Sequence, residues 1–103
     1  MRVAEFLTDF EPVLEPLVRI WEFGANTYGV SNWKQVENGK VRFTNAMLRH
    51  FLKESHRFKD TETGLPHAAH VAFNALMRLY FILQEPVCVG DDDKCVSKEK
   101  AEL

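Results

Sequence analysis

Long apolar runs are missing from this chain of 103 residues. A helix needs about 20 consecutive apolar residues to cross a bilayer. The longest candidate, residues 71–83, is broken by Asn74 and Arg78. The first ten residues carry Glu5 and Asp9 where the apolar centre of a secretory signal would lie, so a cytoplasmic location is expected. Cysteine is scarce. Cys88 and Cys95 do not make a disulfide framework, and they lack the C-x-x-C spacing of a zinc or redox site. In a reducing compartment they are expected to be free thiols. A surplus of positive charge is also lacking. The formal net charge is −2, which excludes an extended nucleic-acid surface built on counterion release. It leaves room for a phosphate pocket, which needs only a few cations or a metal. No phosphate-binding glycine loop of the Walker or dinucleotide type is present.

The composition is otherwise that of one globular domain, 46% hydrophobic and 27% charged. A core this small is marginal alone, so a homo-oligomer, dimer or tetramer, is expected. The pattern predicts an all-α fold: a small bundle of three to four helices in residues 1–86, with a long ordered loop, and a flexible acidic tail over 87–103. Residues 6–23 repeat apolar positions at helical spacing (Val13, Leu14, Leu17, Val18, Trp21), with Gly24 as the stop. Turn formers dominate 24–39, which reads as loop, with Tyr28 and Trp33 embedded in it. A helix is predicted over 44–57, capped by Thr44 or Asn45. The loop 58–65 holds Asp60, Glu62 and Gly64. Pro66 then opens a last helix that runs to about Gln84, before Pro86.

That last helix is apolar nearly all round and is expected to be the buried centre of the bundle. Its polar residues are His67, His70, Asn74 and Arg78, spaced 3, 4, 4. They fall within about 80° of one another on the helix wheel, in one narrow strip. His67 and His70 are close enough to share one ion. His50 and Glu54 lie on one face of the preceding helix. If the two helices pack antiparallel, His50, Glu54, Asp60, Glu62, His67, His70 and Asn74 converge. Carboxylates with imidazoles and an amide suit Mg²⁺, Mn²⁺ or Co²⁺ better than a closed zinc site. H-x-x-H is also not the H-E-x-x-H of zinc proteases.

Each piece has a plainer alternative. The strip is the solvent edge of an amphipathic helix. Asp60 and Glu62 are charges complementing a helix N-terminus. Tyr28 and Trp33 are core anchors, and Arg49 and Arg78 are surface charges rather than phosphate holders.

The strings Gly24-Ala25…Tyr28-Gly29, Asn32-Trp33, Leu48-Arg49-His50, Asp60-x-Glu62-Thr63-Gly64-Leu65-Pro66-His67-x-Ala69-His70 and Asn74-Ala75-Leu76 together resemble a phage and prophage family, the N-terminal domain of dATP/dGTP diphosphohydrolases. The resemblance covers about residues 18–83, and the Asp60–His70 string is its specific piece. It implies an all-α fold similar to MazG-like nucleotide pyrophosphohydrolases. It also implies Mg²⁺- or Mn²⁺-dependent cleavage of a purine deoxynucleoside triphosphate to monophosphate and pyrophosphate, usually by an oligomer. On that reading Asp60, Glu62, His67 and His70 bind metal. His50 or Glu54 orients or deprotonates water. Tyr28, Asn32, Trp33, Arg49, Asn74 and Arg78 hold the nucleotide. The chain departs from the family at Thr27, where a lysine is usual, and at His56-Arg57-Phe58, where acidic residues are often found. The alternative is a phage-encoded interaction protein that binds a host protein or a nucleotide without turnover.

Overall fold

The computed structural model describes residues 1–85. The predicted tail, with Cys88 and Cys95, lies outside the described residues. Within them the chain is helical: α1 (Val3–Asp9), α2 (Glu11–Tyr28), a 3-10 turn (Asn32–Gln35), α3 (Gly39–Lys53) and α4 (His67–Gln84). α3 and α4 form an antiparallel pair. α2 packs on α4 and on the 3-10 turn, and does not reach α3. A cleft is therefore left between α2 and α3, floored by α4.

Several boundaries differ from the sequence expectation, each for a local reason. The first predicted helix is two. Its break falls at Phe10, just before Pro12, which takes a first-turn position where its missing N–H costs nothing. Gly24 does not stop α2. Glycine ends a helix by adopting positive φ, and that role falls to Gly29 (φ 99°), whose N–H donates to the Ala25 carbonyl at 2.9 Å. The predicted loop 24–39 thus begins as helix and carries the 3-10 turn. α3 starts at Gly39, following the left-handed Asn38 (φ 57°), not at Thr44 or Asn45. Thr44 is instead turned to α4, where its hydroxyl accepts a hydrogen bond from Arg78 Nε at 2.8 Å. α3 ends at Lys53, and 54–57 is a turn closed by bonds from Glu54 N to the His50 carbonyl and from Arg57 N to the Lys53 carbonyl. α4 matches its expected span, with Pro66 just before its first residue.

An aromatic group fastens the far end of the α3–α4 pair to the 3-10 turn. Trp33 meets Tyr80 edge-on at 4.8 Å and Phe81 at 6.0 Å between ring centres, and Phe43 stacks on Phe81 at 5.8 Å. Such pairs add about 0.5–1.5 kcal/mol each beyond area burial. Lys34 lies over the rings of Trp33 and Tyr80. Gly39 is buried beneath Phe81, where any side chain would strike the ring.

α4 is the central helix, packed on by both α2 and α3, but it is not buried all round as its composition suggests. Its buried residues are His67, His70, Asn74 and Met77, while Leu76, Leu79 and Leu83 are exposed. The polar strip, not the apolar remainder, faces α3. The solvent-edge reading of the strip is therefore wrong. Among the described residues only α2 and α3 pack against α4, and they leave its outer apolar side uncovered.

One test follows from Gly39. Glycine to alanine in a helix normally stabilises by about 1 kcal/mol. Gly39→Ala is expected to destabilise by about 1–3 kcal/mol, because overpacking displaces Phe81. A higher melting temperature for this variant would contradict the packing described.

Candidate functional site

The loop between α3 and α4 is tied into a ring. Lys59 and Pro66 form an antiparallel bridge, Asp60 N donates to the Leu65 carbonyl at 2.8 Å, and His67 N donates to the Phe58 carbonyl at 2.8 Å. Gly64 closes it at φ 74°, a conformation that L side chains rarely adopt. Inside the ring, Asp60 Oδ2 accepts from Glu62 N (3.1 Å), Thr63 N (2.9 Å) and Thr63 Oγ1 (3.1 Å). This aspartate turn fixes the carboxylate above the start of α4.

Three histidines meet it there. His50 Nδ1 and His67 Nδ1 are 2.9 Å apart. The His50 ring stacks on His70 at 4.4 Å and 11°. His70 Nε2 lies 2.7 Å from Thr63 Oγ1 and 3.9 Å from Asp60 Oδ2. Thr63 has one hydroxyl proton. If it goes to Asp60, His70 Nε2–H is the donor to Thr63. His67 and His70 are buried.

Burial pushes His50 down to about 4, with the neighbouring His70 adding to the shift and Asp60 opposing it. Burial also lowers His70, against the pull of Asp60 and Glu62. Burial alone would raise the Asp60 carboxyl, but the Thr63 hydrogen bonds outweigh it and leave the carboxyl below its ordinary value. Near pH 7 the site therefore holds a carboxylate beside neutral imidazoles at His50 and His70.

One donor atom from each of His50, Asp60 and His67 lies within 4.8 Å of the others. This set fits a divalent cation. Two neighbouring ligands at right angles on an ion with bonds of about 2.1 Å sit about 3.0 Å apart, and the two Nδ1 atoms are 2.9 Å apart. Without an ion, one of these two nitrogens carries the proton that joins them, and that proton would have to move to a ring Nε2 before both could ligate.

The other expected site residues divide into two groups. Glu54 ends α3 as an exposed cap, and Glu62 is exposed, with its N–H on Asp60 and its charge felt by His70. Neither joins the close set. Arg78 is held by Thr44. Tyr28, Asn32, Trp33, Arg49 and Asn74 all line the cleft between α2 and α3, a space of about 540 Å³. Asn74 links cleft and histidines, since its Nδ2 donates to the His70 carbonyl at 2.8 Å. Trp33 is an aromatic anchor as well as a cleft wall, and its indole N–H is buried without a partner. The sequence reading missed Thr63 and Arg42. The signal for Thr63 was a hydroxyl three residues after Asp60. For Arg42 it was a second arginine seven residues before Arg49, and thus on the same side of the helix.

The described residues form an all-α domain in which imidazoles and a carboxylate converge beside a cleft. Residues 4–91 match the family model described as dATP/dGTP diphosphohydrolase, N-terminal, and the chain belongs to that family. It is 37% identical over 70 residues to a dATP/dGTP diphosphohydrolase of Salmonella phage PMBT28, covering 67% of this chain and 23% of that protein. The chain thus spans about a quarter of the length of the curated relative it matches. No solved structure matches it. Among the described residues, no helix is long and apolar enough to cross a membrane.

The histidine pKa gives a pH test. A group lowered in the folded state stabilises that state above its unfolded value and loses this as pH falls. For His50 the window runs from 6.5 down to about 4, and Asp60 adds to the loss at the acid end. Urea unfolding at about pH 5 should therefore show lower stability than near pH 7, and His50→Gln should reduce the difference. Equal stability at the two pH values would contradict the packing of these rings.

Proposed function

We propose that this chain is the substrate-handling domain of a metal-dependent hydrolase acting on purine deoxynucleoside triphosphates. The observation that carries the reading is the convergence of His50, Asp60 and His67, next to a cleft lined by Arg49, which precedes His50, and by Asn74, which bonds the His70 carbonyl. Family membership and the name of the phage relative support the substrate class.

In this reading water adds to the α-phosphorus and the bond to the bridging oxygen breaks, giving monophosphate and pyrophosphate. His50, Asp60 and His67 hold the cation. A bound cation neutralises phosphate charge and makes bound water more acidic. His70, neutral near pH 7 and outside the close set, takes the proton, and Thr63 fixes its orientation. Arg49 holds phosphate oxygens. Two imidazoles with one carboxylate favour Mn²⁺ over Mg²⁺, which prefers an all-oxygen shell.

The expected result is Mn²⁺-dependent pyrophosphate release from dGTP and dATP, lost on chelation. Asp60→Asn keeps the loop's hydrogen-bond acceptor and should weaken metal affinity by at least about tenfold. Absence of release, together with no rise in melting temperature on adding Mn²⁺, would overturn the proposal.

A second reading, nucleotide binding without turnover, is favoured by one observation. Thr27, in the place of the usual lysine, spends its hydroxyl on the Phe23 carbonyl of its own helix at 2.9 Å. Binding of dGTP with no product in the presence of Mn²⁺ would select this reading.

Self-association belongs to the same proposal. Leu48, Phe51 and Leu52 on α3 and Leu76, Leu79 and Leu83 on α4 are exposed at helical spacing, and large apolar patches on a small domain mark interaction surfaces. Light scattering after size exclusion should give a dimer or larger. A monomer at all concentrations would contradict it.

A further inference from the structure

The charge lining the cleft between α2 and α3 is all of one sign. Arg42 and Arg49 border it, and no acidic side chain does. In a chain of net charge −2 this is a local reversal. The groove on α2 between Glu11 and Glu22 shows the contrast, with three glutamates and Arg19, which pairs with Glu15. Neither Arg42 nor Arg49 has an ion-pair partner among the described residues. Two unpaired guanidinium groups on a concave surface call for an anion.

The walls call for a planar ring. Both tryptophans of the chain, Trp21 and Trp33, line the cleft with Phe43 and Phe73. Its volume of about 540 Å³ falls within the roughly 300–1,000 Å³ range of ligand pockets.

The helix then sets a direction. Arg42 and Arg49 are seven residues apart on α3, which is two turns and about 10 Å on one side of the helix. Arg49 adjoins His50, so it marks the end nearest the histidines. Arg42 adjoins Phe43, which packs on Trp33, so it marks the aromatic end.

We propose that the cleft seats a purine nucleotide lengthwise, with its base at Arg42 against Trp33 and Phe43 and its phosphates at Arg49, directed toward His50. Arg42 is then a specificity residue. A guanidinium donates two hydrogen bonds to the O6 and N7 edge of guanine, whereas adenine offers it only N7. This rests on the nucleotide reading above but needs neither metal nor turnover.

The test is a titration in chelator, read by tryptophan fluorescence, since both tryptophans report on this cleft. Deoxyguanosine, which has no phosphate, should quench the signal, and deoxyadenosine should bind more weakly. Arg49→Ala should weaken dGTP by about tenfold and leave deoxyguanosine unchanged, as expected for the loss of a charge-assisted bond to phosphate. Arg42→Ala should weaken both dGTP and deoxyguanosine and narrow the preference over adenine. Inorganic triphosphate should compete with dGTP. Both arginines are exposed, so neither variant should disturb folding, which circular dichroism checks. Failure of deoxyguanosine to quench would overturn the proposal. So would equal losses for dGTP and deoxyguanosine in Arg49→Ala, or no loss for either in Arg42→Ala. Because no metal is present, a failure of hydrolysis leaves this result standing, and a failure of binding here does not depend on catalysis.

Discussion

The structure depends on burying a polar strip of α4 against α3. Burying an imidazole or an amide is unfavourable unless each polar atom finds a partner. Here the strip is answered along its length. His67 meets His50, His70 meets Thr63, Asn74 returns to its own helix and Arg78 bonds Thr44. Two of these contacts, His67 with His50 and Arg78 with Thr44, cross between the helices and fix their register, because a shift of either helix along its axis would strand both. An apolar strip of the same shape would pack at least as well. Keeping it polar makes sense if the imidazoles have work to do.

The wheel arithmetic on α4 identified the strip from sequence, and the eight-residue connection made an antiparallel pair the natural expectation. Both are seen. The orientation of α4 was not legible in the same way. Periodicity says which residues share a side, not which side a neighbour covers. An apolar majority suggested burial of the leucines, yet Leu76, Leu79 and Leu83 are the uncovered ones. The helix ends misled for a related reason. Gly24 and Thr44 have the identities of a stop and a cap. Gly24 lies in the helical wall of the cleft, while Thr44 serves a tertiary hydrogen bond. At Thr44 a tertiary contact overrode local preference. Glu54 and Glu62 looked equivalent to Asp60 as ligands. Only Asp60 is held by three donors of its own loop, a geometry that depends on Thr63 and Gly64 together.

The histidine cluster and the cleft are neighbours built from the same two helices. Arg49 precedes His50 on α3, and Asn74 spans from the cleft floor to the His70 carbonyl. The cleft stays open because α2 leans on α4 and never meets α3. A domain of this family that matches about a quarter of its phage relative brings an intact set of donors but leaves wide apolar surfaces uncovered.

The central claim is that His50, Asp60 and His67 together bind one divalent ion. Pulsed electron paramagnetic resonance on the chain with one equivalent of Mn²⁺ tests it directly, because imidazole nitrogen bound to manganese modulates the echo. The account predicts nitrogen modulation from two imidazoles, falling to that of one in His50→Gln. A spectrum of manganese surrounded by water alone, unchanged by that substitution, would contradict it.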